Sequence, residues 1–371
     1  MIRIIPKEAQ AGMFTAEQVR TPLGQILAEP GTELTRQLIN KMKLYKVESL
    51  LVEGDDPNAA PAPAPVPKTY AQKSMTHHQK LQVSEEFRGF QLRYLSCINN
   101  IKDTFNVICD GAESGNPISI NEQKLLSSVI ELFASCQTTI EVFDLLYNMR
   151  AMADPLYSHS LNVGLLSRMI GRWLHMDKRE LDSLTMSGLL HDIGKCKIPA
   201  DVLNKPDKLT DEEFALIRQH PKLGHDLLKN LPLDSRVKRT ALMHHERCDG
   251  SGYPSHIDSD LIDDFAMIVG IADVYDAMTA ARLYRAPLCP FQVIASFEDN
   301  GFAKYNTRYL LIFLKKLASA YQNNRVILSD GRSGNIVMMN SNDLSRPMVQ
   351  FDDESVIDLA SHRDLYIKSV M

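Results

Sequence analysis

Long hydrophobic runs are missing from this sequence, and no stretch is apolar for long enough to span a bilayer. The opening residues, MIRIIPKEAQ, turn polar too early for a secretory signal. From these two absences we expect a cytoplasmic protein. Paired cysteines are missing too. Cys97, Cys109, Cys136, Cys196, Cys248 and Cys289 are scattered, and none belongs to a CxxC motif. That excludes a zinc ribbon or a dithiol redox motif of that spacing and suits reduced thiols. An excess of charge is lacking as well: 41 Lys and Arg face 46 Asp and Glu, for a net charge of −5. No general attraction to a nucleic-acid polymer follows from that balance.

What is present fits a globular protein of 371 residues and 44% hydrophobic content, enough for two or three domains. Residues 1–54 read as a small α+β module. Its turn signals are Pro22-Leu23-Gly24 and Pro30-Gly31, around the apolar run Ile26-Leu27-Ala28. Leu38, Ile39, Met42 and Tyr45 follow at helical spacing, and SLLVEG reads as a closing strand. The stretch DPNAAPAPAPVPK cannot build a core, so residues 55–76 are expected to be a Pro/Ala-rich linker. A helical connector over 77–136 and a helical domain over 137–320 come next, with a break expected from Asp110-Gly111 to Asn116-Pro117. Residues 321–371 alternate like a small antiparallel sheet, with Asp330-Gly331 and Ser333-Gly334 as turn signals. The fold class expected is mainly α, with a β extension at the C-terminal end.

Polar residues stand where the helical pattern wants apolar ones. His159 lies in PLYSHSLNVGLLSRMIGRWL, and His191 and Asp192 end LTMSGLLHDIGK. His220 closes LTDEEFALIRQHP, whose Thr210 and Glu213 form a capping box. His244 and His245 end RVKRTALMHHE, and Asp273 sits within FAMIVGIADVYDAM. One such histidine is usually a satisfied core residue. So many imidazoles and carboxylates from separate helices call for a cation, and Asp192 could bridge two. Lys195 lies one turn past Asp192. Arg282 and Arg285 lie nine and twelve residues past Asp273, where a continuing helix would carry them to the same mouth. A cationic rim around a metal pair suits a phosphate substrate. Glu246 and Asp249 could orient ligands from outside the cluster.

The blocks HDIGK, KPDKLTDEEFALIRQHPKLG, HHERCDGSGYP and IADVYDAMTAARLYR resemble, in order and spacing, the HD-GYP domain, a branch of the HD metal-dependent phosphohydrolases. The resemblance covers about residues 137–320 and implies an all-helical HD-type phosphohydrolase domain. It implies hydrolysis of cyclic di-GMP to pGpG or GMP in bacterial second-messenger signalling, by a hydroxide bridging two divalent ions, iron or manganese. It carries metal ligation onto His159, His191, Asp192, His220, His244, His245 and Asp273. Lys195 would sit at a phosphate and act with His191 and Asp192 in catalysis. Arg282 and Arg285 would meet phosphate or guanine, and Gly252 and Tyr253 would shape the pocket wall. Pro155 stands where some members carry a third-metal glutamate, so two ions are expected. Cys248 replaces the usual aromatic, Ala280-Ala281 replace Ser-Asp, and Lys304-Tyr305-Asn306 replace FDP, which puts helix docking and turnover in question.

Two alternatives stay open. One is a phosphodiesterase for another cyclic dinucleotide, such as cyclic GMP-AMP. The other is a catalytically weak nucleotide-binding or scaffold protein, which a degenerate signature would favour. The N-terminal module carries no chemical constellation. It reads as a sensory, partner-docking or dimerising appendage, through which a homodimer or a signalling protein would be engaged.

Overall fold

The computed structural model describes residues 2–20, 26–35, 38–39, 42–43, 47, 49–52, 85–136, 138–149, 154–205, 207–280 and 287–371. They fall into two compact units, Met1–Lys73 and Ser74–Met371. In the first, β1 (Ile2–Ile4) pairs antiparallel with β4 (Leu50–Val52), and β2 (Val19–Arg20) pairs antiparallel with β3 (Ile26–Ala28). Val19, Ala28, Leu34, Ile39, Met42, Val47, Leu50 and Val52 form its core. The expected strands at 26–28 and in SLLVEG are therefore present, and Ile39 and Met42 are helical and buried. Tyr45, the Pro22-Leu23-Gly24 turn and the expected linker 55–76 lie outside the described residues.

The second unit begins with α1 (Glu85–Ser114). Phe87, Phe90, Tyr94, Cys97, Ile98, Ile101, Phe105 and Ile108 recur every three or four residues along it, and all are buried. The expected break from Asp110-Gly111 to Asn116-Pro117 is present but begins only at Gly115. The helix runs through Asp110-Gly111 and stops before Gly115, whose φ of +69° ends the helical path. There follow α2 (Glu122–Ala134), α3 (Thr139–Met149), α4 (Pro155–Trp173) and α5 (Lys178–Leu190). Next come α6 (Ala200–Leu203), α7 (Asp211–Ile217), α8 (His220–Leu228), α9 (Ser235–Met243) and α10 (Asp264–Thr279). The helices close with α11 (Pro290–Lys304) and α12 (Thr307–Ala320). Asp154, Asp177, Thr210, Asp234, Asp263 and Asn306 each cap a helix start, so the polar punctuation of the sequence is used as N-caps.

Helix α10 is the axis of this unit, with Phe265, Ile268, Val269, Ile271 and Ala272 all sealed from solvent. Around it α4 and α5 approach closely, because a Cβ on Gly188 would lie 2.7 Å from the Cα of Gly164. No helix among the described residues is long and apolar enough to cross a membrane. The C-terminal sheet has the order β8 (Val356–Asp358), β7 (Met348–Phe351), β6 (Ser333–Met338), β5 (Arg325–Leu328), β9 (Ile367–Val370), antiparallel throughout. Asp330-Gly331 makes the β5–β6 turn, whereas Ser333-Gly334 lies inside β6 rather than at a turn. Glycine is needed there because a Cβ would meet the Gln350 carbonyl of β7 at 2.4 Å. Val326, Ile336, Val349 and Ile367 join the same core as the helices. Glu298 of α11 accepts the Leu344 and Ser345 amides at 2.6 and 3.2 Å, clasping the sheet to the helices.

Candidate metal centre

The donor side chains come mostly from helix ends. His159 lies in the second turn of α4, and Asp273 lies midway along α10. His191 caps the C-terminus of α5, and Asp192 opens a 3-10 turn at Ile193–Lys197. His244 caps the C-terminus of α9, with His245 next. His220 does not close the capping-box helix as expected. That helix, α7, stops at Ile217, and His220 opens α8 with Pro221 in its first turn, where a missing N–H is tolerated. Gly194 lets the 3-10 turn seat against α8, since a Cβ there would lie 2.0 Å from the His220 carbonyl oxygen.

These residues meet at one place. Asp192 Oδ2 lies 3.5 Å from His159 Nε2 and 3.4 Å from His191 Nε2. Its other oxygen, Oδ1, lies 3.2 Å from His220 Nε2 and 3.8 Å from His244 Nε2. Asp273 is divided in the same way: Oδ1 is 3.1 Å from His159 Nε2, and Oδ2 is 3.8 Å from His245 Nδ1. Donor atoms within 4.8 Å of one another thus form two sets, one of Asp192, His220, His244 and His245, the other of His159, His191 and Asp192. Asp192 belongs to both.

The outer nitrogens fix the tautomers. Nδ1 of His191 meets Gly188 O at 2.7 Å, and Nδ1 of His220 meets Ile217 O at 2.7 Å. Nδ1 of His244 meets Thr240 O and Ala241 O at 3.1 Å each. A carbonyl only accepts, so each Nδ1 carries the proton, and the neutral form of each ring turns an Nε2 lone pair inward. Nε2 of His220 and Nε2 of His244 then face each other at 3.2 Å, lone pair to lone pair. His191 Nε2 and Asp192 Oδ1 are buried with no hydrogen-bond partner. Buried lone pairs crowded in this way are costly unless a cation takes them up. Imidazole and carboxylate in this mixture suit a first-row divalent ion, so the residues fit a metal.

Charge follows the same division. Burial opposes ionisation of Asp192, yet above all the Lys195 ammonium outweighs it and holds the carboxyl well below its usual range. Asp273 is likewise held low against burial, chiefly by His159. Burial, with the neighbouring imidazoles, holds His244 well below the usual histidine value, and burial pushes His245 down to about 3 against the pull of Asp273. His159 is the exception. Burial opposes its charge, but Asp273 and Asp276 raise it to about 10.

The rim residues are placed as follows. Lys195 pairs with Asp192 Oδ2, with 23% of its side chain exposed. Tyr253 stacks on His245 with ring centroids 4.5 Å apart, and the Arg218 guanidinium lies 4.5 Å from the same tyrosine ring. Gly252 lies against the HHER backbone, where a Cβ would be 2.4 Å from Glu246 Cα. Buried Glu246 accepts the Ser255 amide at 2.6 Å and so ties the GYP loop to the histidine pair. Asp249 is exposed and engages Ser251 rather than a cluster residue. Helix α10 ends at Thr279, with Ala280 extended at ψ 142°, so it does not continue to Arg282 and Arg285; both arginines lie outside the described residues. The Lys304-Tyr305-Asn306 departure keeps its helices docked. Tyr305 packs edge-on to Phe297 and lies under Arg247, and Asn306 caps α12.

Sequence reasoning passed over Asp276, Asn162 and Arg218. Asp276 Oδ2 accepts from His159 Nδ1 at 2.8 Å, and its Oδ1 accepts from Asn162 Nδ2 at 3.0 Å. The signal that singled out Asp273, a carboxylate in an apolar helix, applied equally to Asp276. Arg218 carried no such signal.

Comparison with known proteins agrees with this geometry. The family described as HD domain matches residues 144–307. A cyclic di-GMP phosphodiesterase of Pseudomonas aeruginosa is 32% identical over 207 residues, 55% of this chain and 50% of that protein. A 3'3'-cGAMP-specific phosphodiesterase of Vibrio cholerae is 35% identical over 167 residues, 45% of this chain and 37% of that protein. A solved HDG"Y"P protein of Bdellovibrio bacteriovorus is 18% identical with a TM-score of 0.48, covering 84% of this chain and 97% of that one. The chain spans about half the length of the first curated relatives it matches. The matched residues 144–307 contain all seven donor residues, from His159 to Asp273.

Proposed function

We propose that this chain hydrolyses a cyclic dinucleotide, cyclic di-GMP first, using two divalent ions, iron or manganese, that share Asp192. The observation that carries the reading is the pair of buried Nε2 atoms of His220 and His244, 3.2 Å apart beside the unpartnered Asp192 Oδ1. His159, His191, Asp192 and Asp273 would hold one ion, and Asp192, His220, His244 and His245 the other. Ions held there supply Lewis acidity toward a phosphoryl oxygen and a nucleophile at neutral pH.

The chain's own residues do the rest. The four Nδ1 donors to Gly188, Ile217, Thr240 and Asp276 hold the rings in the metal-accepting tautomer. Lys195 balances Asp192 and can reach toward a non-bridging phosphate oxygen. Arg282 and Arg285 would add positive charge toward a phosphate. Tyr253, stacked between His245 and Arg218, would wall the pocket for the substrate. The relatives named for cyclic di-GMP and for cyclic GMP-AMP make the second dinucleotide the competing substrate. Both are given separately to the iron- or manganese-loaded protein and linear products are followed by chromatography. Linearisation of cyclic di-GMP that disappears in Asp192→Ala supports the proposal; intact dinucleotide with either metal overturns it.

A further inference from the structure

We propose that Tyr94, on the helix preceding the HD domain, is a positioning residue for the metal centre, acting through Asn162 and Asp276 on His159. The inference rests on the metal-centre reading above. Tyr94 is wholly buried on α1, outside the matched residues 144–307. Its hydroxyl donates to Asn162 Oδ1 at 2.8 Å, with Ser158 O further away at 3.4 Å. Asn162 Nδ2 donates to Asp276 Oδ1 at 3.0 Å, and His159 Nδ1 donates to Asp276 Oδ2 at 2.8 Å. His159 Nε2 then faces Asp273 Oδ1 at 3.1 Å, inside the cluster. Both intermediaries are buried, Asn162 at 1% and Asp276 at 2% exposure, so water does not substitute readily for a lost link.

The direction of each bond follows from the chemistry. A phenol hydroxyl donates to the amide oxygen, which turns the amide nitrogen toward the carboxylate. The carboxylate, held by that nitrogen, presents its second oxygen to His159. That oxygen fixes the proton on Nδ1 and aims Nε2 into the cluster. Without the hydroxyl, the Asn162 amide can rotate and offer its oxygen to Asp276, which would repel it. Partners beyond a metal's ligands orient those ligands and tune their basicity. The helix that leads into the domain thereby reaches a metal ligand through a hydrogen-bonded chain, and a shift of α1 would be read at His159.

The test is a manganese titration of the chelator-stripped full chain, reading free Mn²⁺ by electron paramagnetic resonance, with apo melting temperature measured alongside. Tyr94→Phe is expected to weaken one of two sites on the order of 10-fold, the low end for an outer partner, and to leave the other site intact. In an Asp276→Asn background, Tyr94→Phe is expected to add nothing, because the chain is already cut. If Asp276→Asn does not fold, Asn162→Leu replaces it as the background. A merely structural tyrosine would lower the apo melting temperature and weaken binding equally in either background, which overturns the proposal. Unimpaired uptake by Tyr94→Phe overturns it also, while leaving the metal centre standing. A wild-type chain that takes up no manganese or iron overturns the metal-centre reading, and the relay with it.

Discussion

A buried imidazole or carboxylate must be answered by a partner, and that requirement is what made the ligands legible. His159, His191, Asp192, His220, His244, His245 and Asp273 stand out because each interrupts an apolar pattern, and each lies at the cluster. Asp192→Ala removes the carboxylate common to both donor sets. We expect metal content to fall by more than one ion per chain, and affinity to drop at least about 100-fold, the upper range for losing an outer partner alone. Metal analysis after dialysis checks this. Arg285→Ala tests the rim: the KM for cyclic di-GMP should rise roughly 10- to 100-fold, the worth of a charge-assisted hydrogen bond, with metal content unchanged. Metal loss equal to the KM change would make that residue structural. What sequence could not show at this scale was pairing. Nothing in the string says that Asp276 meets His159 Nδ1 or that Arg218 covers Tyr253, because those contacts join residues 117 and 35 positions apart.

Element boundaries were partly legible, and the errors have local causes. Capping boxes are written in adjacent residues, so Thr210 and Glu213 were readable, and the structure has both bonds. Thr210→Ala is expected to destabilise by about 1 kcal/mol in denaturant unfolding and leave bound metal unchanged. The seam between α7 and α8 was not readable, because Arg218 and Gln219 are ordinary helix formers and only the seating of His220 separates the helices. Likewise Gly111 and Gly334 read as breaks in the sequence, whereas a continuing helix and a close neighbouring strand hold them in regular structure. Gly194 is the element-scale test of the site. Its Cβ would overlap the His220 carbonyl, so Gly194→Ala should push α8 from the 3-10 turn. We expect a loss of about 1–3 kcal/mol, the usual range for overpacking, together with weaker metal uptake. Wild-type metal affinity in that variant would mean the close approach does not set the ligand geometry.

At the scale of the molecule, composition and periodicity were enough for a mainly helical chain with β pieces at either end. The closeness of the C-terminal sheet to the helices was not, because the Glu298 clasp joins side chain and backbone 46 residues apart. All seven donor residues lie within the unit Ser74–Met371. A chain starting at Ser74 is therefore expected to bind metal with the stoichiometry of the full sequence, by mass spectrometry under native conditions. Loss of metal on removing the first unit would show that it contributes to the centre. The central claim is that distant imidazoles and carboxylates converge on cations shared through Asp192. Anomalous scattering from crystals of the manganese- or iron-loaded protein tests it most directly. The account predicts two peaks flanking the Asp192 carboxylate, one toward His159 and His191, the other toward His220, His244 and His245. Absence of any peak among these residues in metal-loaded crystals would contradict it.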